Sequence, residues 1–173
     1  MVKKLLEVIN LEKVYNSEDA PTKVLSGVSF DVLEGEFLGI MGPSGSGKTT
    51  LLNCIATIIQ LTSGQILLNG EDISQFNSKN LAEYRGSRIG YLFQDFELLD
   101  NLTGQENIIL PLSIHGTSSA LTDEKLMEVA EHLEITSVLD KFPTQMSGGQ
   151  KHRVAAARSM NLNPHIILAD EPT

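Results

Sequence analysis

Residues Gly42 to Thr49 read GPSGSGKT, an octet of the form G-x-x-x-x-G-K-[S/T]. Such a loop constrains the fold because it needs a strand before it and a helix after it. Gly42, Gly45 and Gly47 let the backbone wrap closely, so that several N–H groups point inward at one anion. Lys48 supplies a positive charge for the outer phosphates of a nucleotide, and the hydroxyl of Thr49 can ligate Mg²⁺. Pro43, Ser44, Ser46 and Thr50 complete the candidate phosphate site. Both flanks suit it. Phe37 to Met41 is a short apolar run, as expected of a buried parallel strand. Leu51, Leu52, Ile55, Ile58 and Ile59 recur at helical spacing. The start of that helix adds a partial positive charge facing the phosphates. A Gly/Ser turn that merely happens to hold a lysine would need neither flank.

The chain of 173 residues suits one domain with a small subdomain. The net charge of −9 argues against a nucleic-acid surface, which relies on clustered Lys and Arg. A nucleotide needs only one local electropositive pocket. Cys54 is the sole cysteine, so no internal disulfide forms; it reads as a buried small hydrophobe, compatible with a reducing cytoplasm. No stretch approaches the roughly 18 to 20 apolar residues of a membrane span. The basic start at Lys3-Lys4 is followed by an apolar stretch that breaks at Glu7, which excludes a signal peptide. Any membrane role is therefore expected to pass through a partner.

Residues 4–33 read as β-rich, with Val28, Phe30 and Val32 alternating with Ser29 and Asp31. Glu34-Gly35-Glu36 is a turn. Ile66 to Leu68 followed by Asn69-Gly70 has the form of a hairpin. Arg88 to Phe93 reads as another strand, ending at Gln94. Residues 95–145 then turn helical, punctuated at Pro111, Gly116 and Pro143, with Leu126, Val129, Ala130 and Leu133 as a stripe. Ser147 to Met160 is an expected helix and His165 to Ala169 an expected buried strand, separated by Asn163-Pro164.

Two further motifs carry chemistry. In Met146-Ser147-Gly148-Gly149-Gln150, Ser147 and Gln150 have the spacing of a capping box ahead of an Ala-rich helix. Two glycines in a first helical turn are costly, and they make sense where another molecule must approach the N–H groups; a plain helix start is the alternative. In Ile166 to Glu171, an apolar strand ends in two carboxylates at the carboxyl edge of a sheet, where α/β proteins bind ligands. Asp170 can hold Mg²⁺ and Glu171 can deprotonate an attacking water. Glu171 is also placed to cap a following helix, with Pro172 suited to its first position.

GPSGSGKT, Gln94 after a strand, MSGGQ and IILADEPT, in this order, resemble the nucleotide-binding subunit of an ABC transporter along the whole chain. The resemblance implies an α/β, P-loop NTPase (RecA-like) core with an N-terminal antiparallel β part and an inserted α-helical subdomain. It divides the chain into a β subdomain and phosphate-loop core over 1–94, a helical subdomain over 95–145, and a signature helix with its acidic strand over 146–173. It implies that Tyr15 stacks on adenine, although a tyrosine near a strand end also reads as surface packing. Gln94, otherwise a polar strand terminus, becomes a contact to Mg²⁺ or the attacking water. Ser147, Gly148, Gly149 and Gln150 become the signature that meets ATP held by a second, identical subunit. Glu171 becomes the general base, with Lys48 and Gln94 beside it in catalysis and Thr49, Gln94 and Asp170 around the metal.

The implied cofactors are ATP and Mg²⁺. The implied partners are a twin ATPase subunit and a transmembrane permease of the FtsX-like type, which place the subunit at the inner face of the cell membrane. The wording from Phe93 to Asp100, with Leu102-Thr103 and Glu106-Asn107-Ile108, is similar to the bacterial macrolide-exporter and lipoprotein-release branch, and most to the ATPases of bacitracin and antimicrobial-peptide detoxification. Three departures stand out. Met146 replaces the commoner Leu, Lys151-His152 follow the signature, and no Asp loop or switch histidine follows Thr173. The last part of the core sheet is thus expected to be missing. His152 reads as a solvated helix residue. Two alternatives remain at this point: a soluble ABC-class ATPase, and a fragment that holds ATP without cleaving it.

Overall fold

The computed structural model describes residues 3–16 and 20–171; Pro172, expected at a first helical position, lies outside them. The chain forms two compact units, one running to Arg85 and the other from Gly86.

The first unit is built on a four-stranded antiparallel sheet in the order β2-β1-β3-β4, with β1 at Lys4–Asn16, β2 at Pro21–Leu33, β3 at Ser63–Leu68 and β4 at Glu71–Asp72. One face is apolar. Leu6 pairs with Leu68 and Val8 with Ile66, and all four are buried. Each such aliphatic side chain contributes about 1.5–3 kcal/mol by leaving water. Leu11, three residues after Val8, would fall on the opposite face of a regular strand. A register shift between Val8 and Leu11, with Asn10 at φ 46, returns it to the buried side. The bulge brings β1 close to β3. A Cβ on Gly64 (φ 100) would lie 2.5 Å from the Asn10 carbonyl oxygen, so only glycine fits there. The hairpin turn at Asn69 (φ 53) and Gly70 (φ 80) is the left-handed pair that the Asn-Gly sequence favours.

Helix α1 spans Lys48–Ile55 and buries Leu51, Cys54 and Ile55. It is shorter than expected. Ala56 caps it and Thr57 turns left-handed at φ 56, so Ile58 and Ile59 lie outside the helix, and Ile58 is exposed. The run Phe37–Met41 also departs from expectation. It forms no strand, and Phe37 and Met41 are 96% and 95% exposed. A buried parallel strand needs neighbours, and among the described residues none pairs with this run. Helix α2, Ser78–Arg88, has no counterpart in the sequence reading; only Tyr84 of its residues is buried, so it carries no apolar stripe.

In the second unit, β5 (Ile89–Leu92) and β6 (Ile166–Ala169) pair in parallel, Ile89 opposite Ile166 and Leu92 opposite Ala169. Arg88 ends α2 rather than opening β5. β6 is only partly buried, with Ile167 at 45% exposure, because β5 is its one partner strand among the described residues. Helix α3 is Gly104–Ile114, α4 is Ser119–His132 and α5 is Gly148–Met160. Their shared core includes Ile108, Leu126, Ala130, Val138, Met146 and Val154, with Val129 and Leu133 packed against it. Pro111, expected as punctuation, sits inside α3, which ends only at His115. There Gly116 (φ 70) donates to the Ser113 carbonyl and Thr117 to that of Leu112, the paired closure of a glycine-terminated helix.

Candidate functional site

The first unit holds the phosphate loop. Ser46 N donates to the Pro43 carbonyl at 3.2 Å, and Gly45 and Gly47 take φ 79 and 91. Gly47 is the N-cap of α1 and offers no side chain to it, and no acidic residue lies in the first turn. The opening N–H groups of α1 therefore meet no side-chain cap and no acid of their own first turn, which suits binding a phosphate at a helix start. Gly47 has a second constraint, since a Cβ there would lie 3.1 Å from both Val24 Cγ1 and Leu25 Cδ2. Lys48 Nζ donates to the carbonyls of Gly42 at 2.9 Å and Pro43 at 3.0 Å, so the ammonium sits over its own loop. Gly42 to Ser46 and Thr49 are exposed, and Thr50 is half-buried.

Tyr15 lies near the end of β1, paired with Thr22 and 42% exposed. One face of its ring carries the Lys13 ammonium, 4.8 Å from the centroid, and the Lys13 Nζ also donates to the Gln60 carbonyl.

Gln94, Ser147 to Gln150, Asp170 and Glu171 belong to the second unit. The structure joins Gln94 and Glu171, far apart in sequence: Gln94 Nε2 donates to Glu171 Oε2 at 2.9 Å. Both are exposed, and Glu171 is left-handed at φ 50. Asp170, 6% exposed, continues the β5–β6 pairing by donating its N–H to the Leu92 carbonyl at 3.0 Å. Burial first, and the charge of Asp170 second, push the Tyr91 hydroxyl up to about 12. At α5, Ser147 Oγ accepts from Gln150 N at 3.3 Å while Gln150 Oε1 accepts from Ser147 N at 2.9 Å. This capping box leaves Gly148 and Gly149 exposed at the helix tip, with open space where a Cβ would stand.

Among the described residues no group of three His, Cys, Asp or Glu side chains is placed to hold a metal unaided, and no helix is long and apolar enough to cross a membrane. Thr49 in the first unit, and Gln94 and Asp170 in the second, each carry an oxygen donor of the kind a hard cation such as Mg²⁺ takes.

Sequence reasoning gave no structural role to Arg158, Asn107 or Asn161. Arg158 donates to the Phe96 and Glu97 carbonyls, Asn107 bridges Leu99, Leu102 and Thr103, and Asn161 donates to Ile108 O. His152 is not the solvated residue expected. It is half-buried, with its ring 5.5 Å from that of Phe96, because α5 passes the segment that follows Gln94. Arg158, Asn161 and His152 recognise backbone or a ring more than fifty residues away, which no local pattern encodes, and Asn107 recognises backbone four to eight residues before it.

Comparison with known proteins agrees with the motifs. A family profile described as ABC transporter matches residues 25–173. The bacitracin export ATP-binding protein BceA of Halalkalibacterium halodurans is 46% identical over 98% of this chain and 67% of its own length. The ABC transporter ATP-binding protein YxdL of Bacillus subtilis is 46% identical over 98% of this chain and 65% of its own. The chain thus spans about two thirds of the length of these relatives. A solved dimer of the ATP-binding cassette MJ0796, in a post-hydrolysis state with ADP and Pi, superposes with a TM-score of 0.91 at 36% identity, covering 98% of this chain and 75% of that one. A profile over most of the chain, relatives at this identity and a shared cassette fold leave one conclusion: the chain belongs to the ABC transporter family, in its ATP-binding domain.

Proposed function

We propose that this chain binds and hydrolyses Mg-ATP as one half of a dimer and thereby drives a membrane permease. The observation that carries the reading is the phosphate loop, a glycine-walled turn opening an uncapped helix, with Lys48 held over its carbonyls. A triphosphate would take the Lys48 ammonium from Gly42 and Pro43 and the N–H groups of α1 and the loop, including Ser44, Gly45, Ser46, Thr49 and Thr50. The open face of Tyr15 offers a platform for adenine. Mg²⁺, when bound, would neutralise phosphate charge, with Thr49, Gln94 and Asp170 as its protein neighbours. Glu171 would accept a proton from the attacking water, and Gln94, already bonded to it, would orient that water. Gly148 and Gly149, bare at the tip of α5, would close over the nucleotide of a twin subunit; the cassette dimer of the structural relative supports that arrangement.

The partner we infer is a permease of the FtsX-like type, placing this subunit on the cytoplasmic face of the membrane. The relative named for bacitracin export supports removal of antimicrobial peptides as the transported class. The test is Lys48→Ala, read by calorimetric titration with Mg-ATP. Losing one charged hydrogen-bond donor to phosphate, about 2 kcal/mol, should weaken binding about 30-fold or more and abolish turnover. Binding within about twofold of the parent would overturn the site.

A further inference from the structure

Phe96 and Glu97 stand side by side in the left-handed region, at φ 64 and 46. Neither is a glycine, asparagine or aspartate, so the conformation is imposed from outside at a steric cost. Local bonds close the turn: Phe96 N donates to the Phe93 carbonyl at 3.1 Å and Glu97 N to that of Asp95 at 2.8 Å. The outside agent is Arg158 on α5. Its Nη1 donates to the Glu97 carbonyl at 2.6 Å and its Nη2 to the Phe96 carbonyl at 2.8 Å. A planar guanidinium fork can serve two neighbouring carbonyls at once, and it stays charged under any ordinary condition. His152, on the same helix, adds a ring contact to Phe96. This turn begins two residues after Gln94, which bonds Glu171, and α5 begins at the Ser147–Gln150 motif.

We propose that Arg158 is a positioning residue: it holds the Phe96–Glu97 turn left-handed and so ties the glycine-tipped helix α5 to the place where Gln94 meets Glu171. A displacement of α5, as when its tip engages nucleotide on a twin subunit, would then be felt at Gln94 through two short hydrogen bonds rather than through a slack loop. The effect on turnover rests on the hydrolytic reading of Gln94 and Glu171; the clamp itself does not.

The experiment compares the parent chain, Arg158→Lys, and Arg158→Lys with Glu97→Gly. Lysine keeps the charge but is a point donor without the fork. Glycine adopts φ near 46 without a Cβ conflict, so it should restore the turn once the clamp is lost. Hydrogen exchange of the peptide covering residues 94–99 is the first readout. It should rise at least 10-fold in Arg158→Lys, with the thermal midpoint little changed, and return to within about threefold of the parent in the double variant. Unchanged exchange in the single variant, or no recovery in the double, overturns the clamp. Single-turnover ATP cleavage is the second readout. Arg158→Lys should slow cleavage about 10-fold while the Kd for Mg-ATP stays within about twofold, and Glu97→Gly should recover the rate. Raised exchange with unaltered cleavage overturns the link to Gln94. A parent chain that cleaves no ATP counts against the hydrolytic reading instead, and the exchange result still decides the clamp.

Discussion

Asn107 shows how much of this fold is held by single side chains that recognise backbone. It is fully buried; its Oδ1 accepts from Leu99 N at 2.8 Å, and its Nδ2 reaches the carbonyls of Leu99, Leu102 and Thr103 at 3.0–3.1 Å. The segment before α3 has no strand or helix of its own, so the amide supplements the few backbone bonds there, Leu102 N to Leu99 O and Asn107 N to Thr103 O. Asn107→Ala should cost about 2–3 kcal/mol, since it removes four part-buried hydrogen bonds at once and empties a fully buried position. Urea unfolding checks this, and a loss under about 0.5 kcal/mol would show that water takes over those bonds. The sequence marked Asn107 only as part of a resemblance and gave no sign of what its amide holds. Lys48 had a signature, because a lysine between Gly47 and Thr49 belongs to a pattern whose chemistry is local. Arg158 and Asn107 act on carbonyls chosen by the packing of α5 and α3.

Among the elements, the helices divide by how they begin. α3 and α5 open on capping boxes, Thr103 with Glu106 and Ser147 with Gln150, whereas α1 opens on Gly47 with no side-chain cap. α4 also has no side-chain cap bond at Ser118, so what sets α1 apart is a glycine at the N-cap, next to the phosphate loop. In α3, the Thr103 N–H and then the Thr103 hydroxyl hold the Glu106 carboxyl below its ordinary value of 4.5. A depressed carboxylate stabilises the fold fully above that ordinary value, and the contribution is lost as pH falls through the lower folded value. Glu106→Gln should therefore flatten the fall of the thermal midpoint between about pH 5 and pH 3. Equal slopes for parent and variant would remove the capping carboxylate from the acid response. The Ser147–Gln150 box was legible because spacing encodes it. α2 was not, because a helix that buries only Tyr84 writes no period into its sequence.

At the scale of the molecule, the most consequential surface is the run Phe37, Leu38, Ile40 and Met41, all exposed, with Phe37 and Met41 almost wholly so. Apolar residues next to unpaired backbone invite association between copies. The double change Phe37→Ser and Met41→Ser should lower light scattering of the concentrated chain several-fold. Scattering that persists unchanged would place the sticky surface elsewhere. The net charge of −9 opposes association in general, so an effect confined to this run would be local rather than colloidal.

The sequence by itself determined the order of the motifs, the β-rich start, the helical middle and the family, because each depends on residues near one another: glycines in one turn, a cap and its partner, an alternation of two. Only the tertiary structure decided the rest. It brought Gln94 to Glu171, turned Phe96 and Glu97 left-handed under Arg158, kept Pro111 inside α3, stopped α1 at Ile55 and gave residues 37–41 no partner strand among the described residues. Burial and hydrogen bonding across long sequence separations depend on which neighbour arrives, and a strand or an arginine carries no local mark of a partner tens of residues away.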